Sequence, residues 1–172
     1  MKKALVVVDM QNDFVNGALG SQEAIAIVPF VVGKVVEAIN AGTTVIFTQD
    51  THSDEYLATK EGSLLPVPHC VKDTSGWEII PQLQEYVPGR KVFEKGTFGS
   101  IDLMEYLKEE NFAQMEFIGL CTDICVISNV MLAKAALPEA EIQVDSTCCA
   151  GVTPQSHNNA LAAMKMCHIT IQ

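Results

Sequence analysis

Short aliphatic runs alternate with helical patterns along the whole chain, and this alternation is the feature that most constrains the fold. The runs of strand length are Ala4–Val8, Thr43–Thr48, Lys91–Phe93, Met115–Leu120, Ile142–Val144 and Cys167–Ile171. Strands that are apolar without interruption are typical of a sheet that is buried on both faces. We therefore expect a three-layer α/β/α fold of the Rossmann-like class, with helices on both sides of an open, mostly parallel sheet.

Helical patterns fill most of the intervals between these runs. They cover Ile25–Asn40, Ile101–Glu110, Asp123–Leu137 and a segment from Pro154 to about Met166, which Thr153 precedes as an N-cap. Pro29 is expected in the first turn or so of its helix, where proline is tolerated. The interval from residue 49 to residue 75 has no clear periodicity, and a loop of that length in a small domain usually serves a function.

Composition limits the classes of partner. The chain has 172 residues, of which 48% are apolar and 19% are charged, and this length suits a single domain over residues 1–172. A net charge of -10 argues against binding to nucleic acid or to an anionic membrane surface. The apolar run behind the N-terminal lysines ends at Asp9 and is too short for a signal peptide, so we expect a cytoplasmic protein.

The cysteines do not follow a known scaffold pattern. They are Cys70, Cys121, Cys125, Cys148, Cys149 and Cys167, and no two of them form a CxxC pair. A zinc ribbon and a thioredoxin-type site therefore lack their signature, and the chain is too long for its cysteine content to be a secreted disulfide scaffold. Most of these thiols are expected to be small buried hydrophobes.

Polar side chains with catalytic chemistry follow four of the predicted strands. Asp9, Asp50, Lys95 and the segment that contains Cys125 each come at or near a strand end, and His52 lies two residues after Asp50. In open parallel sheets, ligands bind at the carboxyl ends of the strands. These residues therefore predict a site with a nucleophile, a base and a cation, in a chain without phosphate-loop, GxSxG or HExxH motifs.

Two cysteines compete for the role of nucleophile. Cys121 and Cys125 both lie at the predicted start of a helix, where the backbone amides favour an anion and can hold an oxyanion. A nearby Lys95 and the helix start together predict a low pKa for the thiol of Cys125. Burial of Cys125 in the core is the alternative, and the residues alone do not separate the two cysteines.

The long loop carries a second group of polar residues. Asp50, His52 and His69 supply a carboxylate and two imidazoles, which is a ligand set that suits a divalent metal, and Glu61 lies between the histidines as a further oxygen ligand. The alternative is that both histidines are exposed loop residues.

Five segments together resemble the isochorismatase-like cysteine hydrolases, and among them the nicotinamidase/pyrazinamidase group. The segments are ALVVVDMQNDF, TQDTH, HC after a proline, EKGTFGS and IGLCTDICV, in consistent order from residue 4 onward. The resemblance implies a six-stranded sheet and a triad of Asp9, Lys95 and Cys125, and it assigns the nucleophile to Cys125. It also implies a non-proline cis peptide bond before Cys121, and oxyanion donors in the amides of Cys121 and Cys125.

The same resemblance implies a cofactor and a ring-binding wall. A divalent ion, zinc or alternatively iron or manganese, would be held by Asp50, His52 and His69, with Glu61 where some members place an acidic ligand. Phe14 corresponds to an aromatic residue that contacts the substrate ring. Pro66 stands where many members have an aromatic residue that stacks on this ring.

The resemblance therefore predicts deamidation of nicotinamide or pyrazinamide to the acid and ammonia, through a thioester. The partner is a small amide, and we expect a homo-oligomer. Because the chain is short for the group, a wall of the pocket is either missing or supplied by another subunit. Three alternatives remain open: a metal-free hydrolase of another small amide, a non-catalytic binding protein of the same fold, and a redox protein that uses Cys121 and Cys125.

Overall fold

Six parallel strands form one sheet in the computed structural model, which describes residues 1–172. The strands are β1 (Lys3–Val8), β2 (Thr44–Asp50), β3 (Lys91–Lys95), β4 (Gln114–Leu120), β5 (Glu141–Ala150) and β6 (Thr170–Ile171). Their order across the sheet is β3-β2-β1-β4-β5-β6, and every neighbouring pair is parallel. This sheet confirms the predicted fold class.

Helices cover both faces of the sheet. They are α1 (Asn12–Val15), α2 (Gln22–Asn40), α3 (Lys60–Leu64), α4 (Pro81–Gln84), α5 (Ile101–Glu110), α6 (Ile127–Ala136) and α7 (Pro154–Met166). The helices α1, α2 and α4 pack into the core on one face, and α5, α6 and α7 pack into the core on the other. None of the helices combines the length and the apolar character that crossing a lipid bilayer requires.

The central strand β1 explains why the aliphatic runs are continuous. Leu5 and Val7 belong to the core on the α2 side, whereas Ala4, Val6 and Val8 belong to the core on the opposite side. Successive side chains of a strand point to opposite faces, so a strand between two cores needs an apolar residue at every position.

The predicted ends of two strands were too early. β2 continues to Asp50 and β3 continues to Lys95, because Gln49 pairs with Glu94 and Asp50 pairs with Lys95 in the parallel register. Polar residues here end the apolar pattern without ending the backbone pairing. Asp50 and Lys95 are therefore the last residues of neighbouring strands, which fixes them side by side.

Three other boundaries differ from the prediction. β5 has ten residues instead of three, because pairing with β4 resumes after a register shift between Phe117 and Gly119. β6 is confined to Thr170–Ile171, because a turn that includes His168 in a left-handed conformation follows α7. α6 begins at Ile127, since the preceding Thr122–Val126 segment forms a π-helical turn.

The expected position of Pro29 was wrong. Ser21 caps α2 by accepting a hydrogen bond from Ala24, so the helix begins at Gln22 and Pro29 lies in its interior. The apolar pattern that predicted the helix begins only at Ile25, after the first turn that Ser21 caps. The pattern alone therefore placed the start of the helix too late.

Gly119 permits the close approach of β4 to β1. Its φ is +114°, and a Cβ atom at this position would lie 2.2 Å from the carbonyl oxygen of Val8. The atoms in contact are backbone atoms of two paired strands and cannot move aside, so there is no room for a side chain at Gly119.

Gly119→Ala should therefore lower the free energy of unfolding by about 3 kcal/mol or more, through backbone strain and steric overlap. Gly33→Ala is the matched control, because Gly33 lies on the exposed side of α2 and a Cβ there meets nothing within 4 Å. The control should raise stability by up to about 1 kcal/mol, since alanine favours helix. Denaturant unfolding measures both, and a loss under about 1 kcal/mol in Gly119→Ala would contradict the steric argument.

Candidate active site

The ammonium group of Lys95 lies at the centre of the polar cluster at the carboxyl edge of the sheet. Its Nζ atom is 2.6 Å from Oδ2 of Asp9, 3.3 Å from Oδ1 of Asp50 and 3.4 Å from Sγ of Cys125. It also donates to the carbonyl oxygen of Thr97 at 3.0 Å. The structure thus brings together the three residues predicted as a triad, and all of them are buried.

Local backbone geometry positions the Asp9 carboxylate. Asp9 follows β1 directly and has a φ of +47°, so the chain turns away from the strand direction at this residue. Its Oδ1 atom accepts a hydrogen bond of 2.6 Å from the hydroxyl of Thr48 on β2, and its backbone N–H donates to the same hydroxyl oxygen. Thr48 and Lys95 thus hold the two carboxylate oxygens from neighbouring strands.

Cys125 is presented by the π-helical turn that follows β4. The Leu120-Cys121 peptide bond is cis, as the family resemblance implied. The carbonyl oxygen of Cys121 accepts hydrogen bonds from the N–H groups of Ile124 and Val126, whereas the N–H of Cys121 donates to no protein acceptor. The N–H of Cys121 is therefore free at the start of the turn that carries the Cys125 thiol.

The predicted low pKa of Cys125 was wrong. Complete burial raises the pKa of this thiol, the negative charge of Asp9 raises it further, and the positive charge of Lys95 only partly compensates. The pKa of Asp9 is also raised, by burial first and by Asp50 as well, against the opposing effect of Lys95. One ammonium already serves two carboxylates here, so a third negative charge is disfavoured and Cys125 rests as a thiol.

The three predicted metal ligands also meet. The ligand atoms of Asp50, His52 and His69 all lie within 4.8 Å of one another, and the three residues are buried. Oδ2 of Asp50 is 3.0 Å from Nε2 of His52 and 3.5 Å from Nε2 of His69. Oε1 of Glu61 is 3.8 Å from both of these nitrogens, so Glu61 borders the group of three.

The donor set fits a divalent metal ion. Nδ1 of His69 lies 2.8 Å from the carbonyl oxygen of Val67, and because a carbonyl only accepts, this nitrogen carries the proton. When the ring is neutral, the lone pair that a metal ion requires is therefore on Nε2, the nitrogen that faces Asp50. One carboxylate oxygen and two imidazole nitrogens in a buried site are ligands that zinc, iron and manganese accept.

Asp50 joins the two groups. One of its carboxylate oxygens faces Lys95, and the other faces the two histidines. Burial raises the pKa of Asp50, but its contacts with the imidazoles of His52 and His69 and the charge of Lys95 outweigh burial and hold this pKa well below its usual range. Asp50 is therefore ionised and available to both groups at once.

A cavity of about 360 Å³ opens over this cluster. Its lining includes most of the residues singled out from the sequence, namely Phe14, Asp50, Glu61, His69, Cys121 and Cys125. The ring of Phe14 lies 5.5 Å from the ring of His69, centroid to centroid, beside the metal-ligand group. Asp9, Lys95 and His52 lie behind the wall, where the lining residues cover them.

Sequence reasoning missed the apolar part of the wall, which consists of Leu65, Phe98, Ile124 and Val152 among others. Phe98 is 43% exposed and lies three residues after Lys95, in a segment that the motif search had already selected. An aromatic residue in that segment is a signal that could have been read. Pro66 does not line the cavity, and the neighbouring Leu65 does.

Known proteins match this chain over most of its length. A family model described as the isochorismatase domain matches residues 3–172. An isochorismatase family protein of Bacillus subtilis is 32% identical over 139 residues, which cover 74% of this chain and 75% of the relative. The nicotinamidase/pyrazinamidase of Mycobacterium tuberculosis is 28% identical over 185 residues, covering 98% of this chain and 97% of the relative.

Solved structures share the fold as well. The crystal structure of Pyrococcus horikoshii pyrazinamidase in complex with zinc has a TM-score of 0.86 and 26% identity, over 100% of this chain and 99% of that one. The six-stranded sheet and the match over residues 3–172 lead to one assignment. The chain belongs to the isochorismatase family.

Proposed function

We propose that this protein is a cysteine-dependent amidohydrolase that converts nicotinamide or pyrazinamide to the corresponding acid and ammonia. Its similarity to several nicotinamidases indicates a hydrolase that acts on an amide. The observation that carries the finer proposal is the position of Lys95, whose ammonium contacts both Asp9 and Cys125 beside the Asp50, His52 and His69 group. One end of the cavity thus offers a nucleophile, and the adjacent part offers a site for a ring.

The first half of the reaction transfers the acyl group to sulfur. The Asp9 carboxylate takes the proton of the Cys125 thiol as the sulfur attacks the amide carbon, so a C–S bond forms and the carbonyl oxygen becomes an oxyanion. The free N–H of Cys121 is a donor for this oxyanion. Asp9 then gives its proton to the leaving nitrogen, the C–N bond breaks, and ammonia departs from a thioester.

The second half returns the enzyme to its starting state. Asp9 takes a proton from water as the water oxygen attacks the thioester carbon. The C–S bond breaks, the acid is released, and the proton returns to the sulfur of Cys125. The raised pKa of Asp9 suits both steps, because a carboxylate with a higher proton affinity is a better base near neutral pH.

The metal-ligand group is placed to orient the ring. Asp50, His52 and His69 would hold a divalent ion, and that ion would supply a Lewis-acidic position for a pyridine or pyrazine nitrogen. Phe14 lies against His69 and gives the adjoining wall an aromatic surface. Asp50, His69 and Cys125 line the same cavity, so a ring held beside the metal-ligand group would present its carboxamide to Cys125. Such positioning raises the effective concentration of the two reactants.

Thiol redox chemistry receives no support from the site. Burial raises the pKa of Cys121 to about 12, and the thiol of Cys125 is also shifted upward. Disulfide exchange needs a thiolate, so two thiols that resist ionisation are poor redox partners.

The nucleophile assignment is tested by two alanine variants. Cys125→Ala should lower ammonia release from nicotinamide by about 10³-fold or more, because the variant cannot form the thioester. Cys121→Ala should keep most of the activity, since Cys121 contributes its backbone N–H and not its sulfur. The reverse pattern in a coupled ammonia assay would show that the motif register is wrong.

The resting protonation state is tested by alkylation. Iodoacetamide labelling of Cys125, followed by mass spectrometry, should still accelerate as the pH rises through 9, because the thiolate fraction grows only toward a raised pKa. Lys95→Ala should slow labelling at each pH, since removing the positive charge raises this pKa further. The exposed Cys167 is the internal control and should react equally in both proteins. If the labelling rate of Cys125 reached a plateau below pH 7, the pKa of the thiol would be low and the resting state as a thiol would be contradicted.

The metal-ligand group is tested by substrate comparison. His52→Ala should raise the Michaelis constant for nicotinamide about 10-fold or more, and should change kcat/KM for a small aliphatic amide far less, because only the ring has a nitrogen for the ion. Exposed His168→Asn is the control and should leave both substrates unaffected. If chelation and His52→Ala both leave nicotinamide turnover unchanged, the metal-ligand group does not hold the ring and the protein is a metal-free hydrolase.

A further inference from the structure

The buried side-chain amide of Gln11 forms hydrogen bonds with both the N–H and the carbonyl oxygen of Asp50. Nε2 of Gln11 donates to the carbonyl oxygen of Asp50 at 2.8 Å, and the N–H of Asp50 donates to Oε1 of Gln11 at 2.7 Å. Nε2 also donates to the carbonyl oxygen of Trp77 at 2.8 Å. Gln11 has no exposed surface, and these three hydrogen bonds are the ones that its side chain makes.

The pairing of β1 with β2 ends before it reaches the backbone groups of Asp50. β1 pairs with β2 as far as the match of Val7 with Phe47, and the chain then turns away at Asp9. The edge of Asp50 that faces β1 would therefore lack a strand partner. A carboxamide presents one N–H donor and one carbonyl acceptor, as a peptide group does, so Gln11 completes the ladder where β1 ends.

The position of the Asp50 backbone affects the contacts of both its carboxylate oxygens. Its Oδ1 atom contacts Lys95, and its Oδ2 atom contacts His52 and His69. Because both oxygens belong to one rigid carboxylate, a shift of the Asp50 backbone displaces them together.

We propose that Gln11 is a positioning residue that sets the Asp50 carboxylate for the metal-ligand group and for Lys95. Gln11 touches neither the cavity nor the proposed substrate, and it acts only through Asp50. The inference rests on the proposed function in one respect, since it assumes that Asp50, His52 and His69 bind a divalent ion.

Gln49 provides a matched control. It is also buried, and its Nε2 atom donates at 2.9 Å to the carbonyl oxygen of Trp77, which Gln11 also contacts. The side chain of Gln49 makes no hydrogen bond with Asp50. Gln11→Met and Gln49→Met therefore both remove a buried amide and a bond to Trp77, and only Gln11→Met removes the bonds to Asp50.

The experiment measures Zn²⁺ binding by calorimetric titration of chelator-treated full-length protein, with thermal melting of each variant as a check on folding. Gln11→Met should weaken Zn²⁺ binding 10- to 100-fold, which is the usual effect of losing a residue that supports a metal ligand. Gln49→Met should stay within about threefold of the wild type, even where its melting temperature falls equally. Gln11→Glu keeps an oxygen acceptor for the Asp50 N–H and should give an intermediate loss.

The outcomes separate the two proposals. If the wild type binds Zn²⁺ and releases ammonia from nicotinamide while Gln11→Met and Gln11→Glu bind Zn²⁺ as tightly, the positioning role is overturned and the proposed function stands. Equal losses in Gln11→Met and Gln49→Met also overturn the role, because they show a general packing effect. A wild type that binds no Zn²⁺ overturns both the metal-dependent function and the role of Gln11.

Discussion

The buried ammonium group of Lys95 is the interaction on which the rest of the site depends. A charge removed from water is costly unless ionic partners and hydrogen bonds surround it, and Lys95 has two carboxylates, a thiol and a carbonyl oxygen within 3.4 Å. Burial lowers the pKa of Lys95, but the charges around it outweigh burial and raise this pKa, so the group stays protonated. Loss of either carboxylate would leave a poorly compensated charge in the core.

The segment after β1 organises the partners of that ammonium. Asp9 contacts Lys95 directly, and two residues later Gln11 holds Asp50, which is the second carboxylate on the same cation. The next turn supplies Asp13, whose carboxylate accepts a hydrogen bond from the N–H of Cys70, the neighbour of His69. One short stretch thus fixes a triad residue and the backbones that carry two metal-ligand candidates, which explains why Asp9 and Gln11 are both polar and buried.

The sequence predicts the fold class because the apolar runs reflect burial on both faces, as in β1. It predicts the strand ends less well, since Gln49 and Asp50 are polar and still pair with Glu94 and Lys95. Residue types at strand ends were enough to select the candidate residues that the structure brings together. They were not enough to predict the pKa of Cys125, because the sequence shows a lysine nearby and does not show complete burial or the carboxylates that share that lysine.

The raised pKa of Cys125 is compatible with catalysis because the pKa of Asp9 is raised as well. Proton transfer between two groups in one low-dielectric site depends on the difference between their proton affinities, and two shifts in the same direction partly cancel in that difference. The total charge around Lys95 does not change when the proton moves from sulfur to carboxylate. When the sulfur then attacks, its negative charge passes to the carbonyl oxygen, away from the carboxylates and toward the free N–H of Cys121. The same crowding of negative charge that suppresses a free thiolate therefore favours the step that moves this charge onto the substrate.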